Sequence, residues 1–364
     1  MQNELNSLNL KVAAVRHKEK GFSLLELVIA MVVFIIVTGS IYEVLHVAQR
    51  SRSLVNEKVQ LSKNVRVALN LVGRDTYNAG FGYPLRNTVV LPDNIIAALI
   101  GIPNDFDNTR DTVPPIIVGN NVTPNTFNTT AGVMTDQVVF LFKDSTFNLV
   151  GSIGPPDNRV SQPLNINAAT TTDGIDEIVP ITGSNSVCRI NDIFVISGNT
   201  GSALAVVTGL GVSNAVQFSN DDVLEFNQTG VGGPLRGITT PASMHRVRMV
   251  SYFVTSDGIL TRREYANAPT ATAAQNSISE PLVYGVEDFQ IQYVLNNGNL
   301  SDNPSAGANG IPGDADDVQA NLAQIRQVRF TVNVKSTDLD PAGQPYRISM
   351  TSTFSTRNLG YDAN

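Results

Sequence analysis

One apolar segment near the start of the chain dominates its hydrophobic pattern. From Leu27 to Tyr42 nearly every residue is apolar or small, and counted from Phe22 the segment reaches the ~20 residues that a helix needs to cross a bilayer core. Cytoplasmic flanks of such segments carry an excess of Lys and Arg. The pattern predicts a single-pass helix with a cytoplasmic N-terminus, because basic residues precede it: Arg16, Lys18 and Lys20.

Beyond the apolar segment, a helical period continues toward residue 79. Apolar residues recur there at steps of three and four, with charged residues between them, at Leu54, Leu61, Val65, Ala68, Leu69 and Val72. Such a period is typical of an amphipathic helix that buries one face. Gly80 is of a residue type that ends helices, and Pro84 cannot continue one. We therefore predict one helix over residues 22–79, with Gly39 as the place where it bends or melts.

After the predicted helix, apolar residues alternate with polar ones, and this period of two is typical of β-strands. Two hairpins are predicted, one joining 193–196 to 203–207 and one joining 247–254 to 259–265. The fold class is therefore α+β: a long N-terminal helix, half in the membrane and half amphipathic, packed on an antiparallel β-sheet head over residues 80–364. Further strands are predicted at residues 138–142, 289–295, 328–334 and 348–354.

The formal net charge of −7 argues against a nucleic-acid partner, because readers of duplex DNA normally present a basic face to the phosphates. One local basic strip exists in the second predicted hairpin, at Arg246, Arg248, Arg262 and Arg263. Charged side chains are mostly exposed in proteins, so we interpret these four as solvated strand positions. No nucleic acid is expected among the partners.

Few residues offer the chemistry of an active site. Cys188 is the only cysteine, so neither an intrachain disulfide nor a thiolate metal site can form. None of the three histidines is accompanied by the GxSxG motif of a serine hydrolase. The stretch TGVGGPLRG has Leu235 where a dinucleotide-binding loop has its third glycine. The chain is therefore predicted not to be an enzyme.

An acidic loop offers oxygen ligands for a hard cation. Asp314, Asp316 and Asp317 lie close together in the sequence, with Asp302 upstream. Calcium takes roughly six to eight oxygen ligands, so these carboxylates supply about half of a site, and their spacing differs from that of an EF-hand. We interpret the loop as solvated, with calcium as the alternative, and we expect no other cofactor.

Glu26 is out of place in a membrane segment. A carboxylate in hydrocarbon costs at least a few kcal/mol unless a cation is paired with it. Neither a secretory signal that is cut near Thr38-Gly39-Ser40 nor a plain membrane anchor explains such a residue. Its presence indicates that a cation meets it.

The stretch GFSLLELV, residues 21–28, resembles the prepilin motif of type IV pilins and type II secretion pseudopilins. The resemblance implies that a prepilin peptidase removes the leader, residues 1–21, by cutting between Gly21 and Phe22, and then methylates the new N-terminus. It also implies an assembly role for Glu26. The freed α-amino group is cationic near neutral pH, so in a filament the amine of one subunit can neutralise Glu26 of its neighbour.

Two further stretches resemble PilW/PulJ-type minor pilins and pseudopilins. One is NVRVALNLVGRDTYNAGFGYP, which contains Asp75, and the other is the hairpin pattern GxLxRxxY, which contains Arg262 and is followed by VRFTVNVKS. The resemblance implies an antiparallel sheet of four or more strands against the second half of the helix, formed by residues 241–364. It also implies that residues 86–240 are an enlarged insertion in the head.

This resemblance implies a minor pilin that assembles into, primes or lies near the tip of a type IV pilus. A minor pseudopilin of a type II secretion system, and a tip-displayed adhesin or uptake receptor, are the alternatives. The implied partners are other major and minor pilins or pseudopilins, the prepilin peptidase and the inner-membrane assembly platform. The implied location is the inner membrane, with the head in the periplasm, and after assembly the pilus or pseudopilus at the cell surface.

Overall fold

The computed structural model describes most of the chain, in two compact units that comprise Met1–Asn56 and Glu57–Asn364. The described residues are 21–84, 89–93, 95–100, 112–128, 132–144, 164–172, 175–180, 188–198, 200–211, 215–222, 224–227, 235, 238, 242–265, 277–304, 322, 324–340, 343–356 and 359.

A single helix, α1, runs from Leu24 to Asn78 without interruption. It begins where Ser23 caps it and ends just before Gly80, whose φ of 78° is the left-handed conformation that terminates many helices. The predicted range of 22–79 is therefore confirmed to within two residues. Gly39 lies inside continuous helix, so the predicted melting at this glycine is wrong.

The second half of α1 buries one face, as the period of its apolar residues predicted. Val65, Ala68, Leu69 and Val72 are all at most 3% exposed, whereas Leu61 is only partly covered. These side chains lie in a core with strand residues from two β-sheets. Removing a large aliphatic side chain from water contributes roughly 1.5–3 kcal/mol, so this face is the main attachment of the helix to the head.

The strands follow α1 in chain order, with one short helix, α2 (Ile95–Ile100), between the first two. They are β1 (Val89–Val90), β2 (Ile116–Pro124), β3 (Met134–Lys143), β4 (Leu164–Thr172), β5 (Ile175–Pro180), β6 (Ile193–Ser197), β7 (Ser202–Val206), β8 (Gly209–Leu210), β9 (Val216–Ser219), β10 (Ala242–Val254), β11 (Ile259–Tyr265), β12 (Ser277–Tyr284), β13 (Val286–Leu295), β14 (Leu300–Ser301), β15 (Ile325–Leu339) and β16 (Pro345–Ser355).

The last four strands form a separate antiparallel sheet in the order β14-β13-β15-β16. Its inner face carries alternate residues of β13 and β15, among them Phe289 and Phe330, whose stacked rings lie 6.1 Å apart between centroids. The predicted alternation along both strands is confirmed, with one face packed against α1 and the other polar.

Strand β10 is the centre of the larger sheet because it pairs with four other strands. Its first half pairs with β4 and β6, and its second half pairs with β3 and β11. Both predicted hairpins, β6–β7 and β10–β11, are confirmed. The central part of β3 is buried on both faces: Phe140 faces the core that contains α1, whereas Leu141 faces a second core beyond the sheet.

An arginine whose side chain is 12% exposed marks the point at which β10 changes partners. Arg246 pairs with Phe194 on β6, and the next residue pairs with β3. Its guanidinium contacts Asp144, which follows β3, at 3.2 Å and Asp192, which precedes β6, at 2.9 Å. Burial raises the pKa of Asp192 to about 6, although Arg246 opposes the shift. The interpretation of Arg246 as a solvated residue is wrong, because the two carboxylates bind it inside the head.

Gly73 is required where α1 crosses β16. A Cβ at this position would overlap the ring of Phe354. We expect Gly73→Ala to lower the free energy of unfolding by up to about 2 kcal/mol, because overpacking of roughly 1–3 kcal/mol is only partly offset by the helix-propensity gain of about 1 kcal/mol. Urea unfolding followed by circular dichroism measures the change.

The matched control for this prediction is Asn70→Ala, an exposed position on the same helix, which gains only propensity and is expected to stabilise slightly. Adding Phe354→Leu to Gly73→Ala removes the overlapping ring atoms and is expected to reduce the loss. If Gly73→Ala is as stabilising as Asn70→Ala, the close approach at this crossing is not a constraint.

Candidate assembly site

The predicted cleavage site lies just before the first turn of α1. Gly21 and Phe22 have non-helical backbone, and Ser23 is the capping residue. Phe22 is 84% exposed, and apart from the chain neighbours of Gly21 no atom of the described residues lies within 4 Å of the position that a Cβ on this glycine would occupy. Among the described residues, therefore, no side chain packs over Gly21.

Glu26 occupies the third position of the helix, where a carboxylate is favoured. Its backbone N–H donates to the Ser23 hydroxyl at 3.1 Å. Ser23 and Glu26 thus have the spacing of a capping box, in which a serine is followed three residues later by a glutamate. The first turn also carries the positive end of the helix dipole, which stabilises a negative charge there.

From Leu27 to Tyr42, α1 exposes a nearly continuous apolar surface. Every residue from Gly21 to Ser53 is exposed, and by length and composition the helix could cross a membrane. The few polar groups in this region are partly satisfied within the helix, since the Ser40 hydroxyl donates to the Ile36 carbonyl at 2.9 Å. An apolar surface of this extent is typical of a segment that is covered by lipid or by other proteins.

A buried ion pair fastens the other end of α1 to the larger sheet. Asp75, in the last turn, is 1% exposed. Its Oδ2 accepts hydrogen bonds from the Tyr252 hydroxyl at 2.7 Å and from Arg262 Nε at 3.0 Å. Tyr252 on β10 and Arg262 on β11 are direct cross-strand neighbours. We call these three residues the anchor.

The negative charge of Asp75 lies at the end of the helix that disfavours it. A carboxylate near the C-terminus of a helix opposes the helix dipole, so Asp75 needs the cation that Arg262 supplies. Burial lowers the pKa of Arg262. The Asp75 carboxylate and Tyr252 raise this pKa by more than burial lowers it, so it lies above its ordinary value. Burial and then Asp75 raise the pKa of Tyr252, which keeps its hydroxyl a donor.

The anchor continues to the surface through other charges. Arg262 Nη1 lies 3.3 Å from Glu264 and 3.5 Å from Glu280, and Arg248 also pairs with Glu264. The interpretation of Arg262 as a solvated strand position is wrong, because it is only 4% exposed. Sequence reasoning missed this pairing, although the helical period did contain a signal: Asp75 falls on the same face as Val65, Leu69 and Val72.

The head's portion of α1 is the part from Glu57 to Asn78, which belongs to the same compact unit as the head. A second polar contact holds its start. Glu57 Oε1 accepts hydrogen bonds from the Thr337 backbone N–H at 2.7 Å and from the Thr337 hydroxyl at 3.0 Å, at the end of β15. Lys58 lies 3.9 Å from the ring centroid of Tyr346. Glu57 and Asp75 are separated by about 27 Å of helix, so the head holds this length of α1 at both ends.

Other predicted site residues cannot be placed in the fold. The leader residues Arg16, Lys18 and Lys20 and the calcium candidates Asp314, Asp316 and Asp317 lie outside the described residues. Within the described part of the chain, no three His, Cys, Asp or Glu side chains form a group that could hold a metal ion.

The anchor gives a testable expectation for stability. Asp75→Ala leaves the Arg262 guanidinium buried without its main partner, which typically costs about 3–5 kcal/mol. We expect a loss of this size in the free energy of unfolding, measured by urea denaturation of the full chain in detergent. Arg74→Ala, at the exposed neighbour that also contacts Asp75, is the matched control and is expected to change stability by less than about 1 kcal/mol.

The double variant Asp75→Leu with Arg262→Met separates charge from packing. Replacing a buried pair by apolar residues of similar volume is often neutral, so this variant is expected to recover most of the loss. If Asp75→Ala and Arg74→Ala destabilise equally, the anchor does not hold the helix.

Comparison with known proteins agrees with the geometry of the N-terminal segment. A family model described as the prokaryotic N-terminal methylation motif matches residues 16–42, a stretch that contains Gly21, Phe22 and Glu26. A search among curated proteins finds no match to the chain. The methylation motif and the membrane-capable helix that it overlaps together support a type IV pilin-like protein.

Proposed function

We propose that the chain is a minor pilin that is built into a type IV pilus, where it primes assembly or lies near the tip. One observation supports this proposal above all others: an exposed apolar helix starts two residues after Phe22 and carries Glu26 in its first turn. In this proposal, prepilin peptidase removes residues 1–21 and methylates the new N-terminus. The protein then waits in the inner membrane, with its head in the periplasm.

Assembly transfers the apolar half of α1 from lipid into the core of a filament. In both environments Glu26 is a charge in an apolar medium, and it needs a cation. The α-amino group of Phe22 on a neighbouring subunit supplies that cation in the filament, because it is protonated near neutral pH. A subunit therefore enters only at the axial position where its carboxylate meets an amine. Since this chain carries the glutamate, we place it below the outermost tip position or in the shaft.

In this mechanism the head is held by the portion of α1 that packs against it. The contacts at Glu57 and Asp75 prevent the head's portion of α1 from sliding along the sheets. The partners are other pilins, the prepilin peptidase and the inner-membrane assembly platform. The role is structural, and we propose no enzymatic activity.

Two alternatives use the same N-terminal segment. A minor pseudopilin of a type II secretion system would carry the same motif and be assembled in the same way; loss of secretion without loss of pili distinguishes it. A tip-displayed adhesin or uptake receptor is favoured by the size of the head, since strands β1 to β9 lie outside the four-stranded sheet. Surface-binding assays with assembled filaments test that possibility.

Processing of the N-terminus is the most direct test of the proposal. Intact-mass and peptide spectrometry of the mature protein is expected to show a methylated Phe22 as the first residue. A first residue at Ile41 would instead show removal of a conventional signal peptide, and with it the apolar half of α1. A Gly21→Leu variant is expected to keep its leader, because the peptidase cuts after this glycine.

Replacing the carboxylate tests its role in assembly. We expect Glu26→Gln to reduce incorporation into filaments by at least roughly tenfold, which corresponds to about 1.4 kcal/mol of lost pairing energy. Immunoblots of sheared filaments and of membranes measure the ratio. Glu43→Gln, on the same exposed helix but beyond the first turn, is the matched control and is expected to incorporate normally. Equal incorporation of the two variants would contradict a role for Glu26 in registering subunits.

A further inference from the structure

Strand β16 is an open edge of the four-stranded sheet. It pairs with β15 and ends the strand order, so its other edge has no strand partner among the described residues. From Arg347 to Ser355 its register is regular, without a bulge. This stretch is about 30 Å long at the usual rise per residue. Its alternate residues are exposed and mostly carry hydroxyl groups: Ser349, Thr351, Thr353 and Ser355.

The other edges of the described sheets are protected against pairing. Strand β12 contains Glu280 and Pro281 and has a register shift against β11. Strand β2 is interrupted by an irregularity at which Asn121 has a φ of 53°. Strands β1, β8 and β14 have only two residues each. Proteins use such devices to prevent edge-to-edge pairing, so the long regular edge of β16 stands out.

A groove of about 400 Å³ runs beside this edge, between β16 and α1. It is lined by Met350, Thr351 and Ser352, and by Arg66, Leu69 and Asn70 of the helix. Consecutive strand residues point to opposite faces of a sheet, so a groove that touches three in a row follows the edge of the strand. Leu69 forms the buried floor of the groove, and the half-buried side chain of Met350 offers an apolar contact for a side chain of an added strand.

The helix wall of the groove is positively charged. Lys63 and Arg66 are exposed on α1. The two acidic residues in the head's portion of the helix are both engaged elsewhere, Glu57 with the end of β15 and Asp75 in the anchor. An extended segment beside β16 would therefore meet a cation at Arg66 and no exposed carboxylate on this wall. Charge complementarity selects a segment that carries an acidic side chain.

We propose that the groove between α1 and β16 binds an extended, carboxylate-bearing segment of a neighbouring pilin subunit as an additional strand. Backbone hydrogen bonds to the open edge give affinity, as in other proteins that add a peptide strand to an exposed sheet edge, and the Arg66–carboxylate contact gives selectivity and fixes the register. The identity of the partner as a pilin rests on the proposed function, whereas the binding chemistry of the groove does not.

The chemistry of the groove can be tested with the purified full chain in detergent. The probe is an eight-residue peptide of alternating Thr and Val with one central Glu, compared with the same peptide carrying Lys. We expect the Glu peptide to bind at least tenfold more tightly by fluorescence anisotropy. We also expect it to slow amide hydrogen exchange in β16 but not in β12.

The variant Arg66→Gln is expected to bring the affinity ratio of the two peptides close to one. Arg263→Gln, on β11 and away from the groove, is the matched control and is expected to leave the ratio unchanged. Equal binding of both peptides to the unaltered chain, or protection of amides outside β16, would overturn the proposal.

The partner can be identified in assembled filaments. Cys188 is buried, so Thr351→Cys provides a single accessible thiol for a photoreactive maleimide. Gln327→Cys is the control position, because Gln327 is exposed on the neighbouring strand β15 and does not line the groove. The expected adduct at position 351 maps to an extended segment with Asp or Glu in another subunit. An adduct on lipid, on a helix, or equally at position 327 would overturn this partner.

These outcomes separate the groove from the proposed function. Filaments that contain the Thr351→Cys chain but show no adduct leave the pilin function standing and refute the groove as a subunit contact. Absence of the unaltered chain from filaments refutes the function, and the peptide measurements still decide whether the groove binds an acidic strand.

Discussion

One uninterrupted helix has to satisfy two environments, and the rest of the structure follows from this constraint. The first half of α1 exposes apolar residues on every side, which suits lipid or the interior of a filament. The second half has one apolar face for the head and one polar face for water. The contacts that hold the head to α1 are made by the portion of the helix from Glu57 onward.

Two carboxylates near opposite ends of this helix obey the same physical rule. Asp75 lies where the helix dipole disfavours a negative charge, and it is stable because Arg262 and Tyr252 bind it within the same chain. Glu26 lies where the dipole favours the charge, but its surroundings are apolar residues and it has no cation of its own in the described first turns. A buried charge needs a partner: for Asp75 the fold provides it, and for Glu26 the proposed filament does.

Local sequence patterns predicted much of the fold, but they could not predict contacts between residues that are far apart in the chain. The helix range, the end at Gly80 and both hairpins depend on residues close together in the chain, so periodicity and turn residues sufficed. The burial of Arg262 depends on Asp75, which is 187 residues away. The usual exposure of charged side chains had instead predicted that this arginine is solvated. Gly73 gave no signal either, because its role depends on Phe354 from the last strand. The Gly21–Phe22 bond and Glu26 were recognisable only because their motif is contiguous.

The architecture also explains how a large head can be attached to such a helix. The core that contains α1 is formed by the four-stranded sheet and by one face of β3 and β10. The other face of these strands, with α2, β6 and β7, belongs to separate cores that include no residue of α1. Strands added on that side can therefore vary in number and sequence without changing the packing of the helix. The surface on that side can then change what it binds, while the anchor and the groove beside β16 keep their geometry.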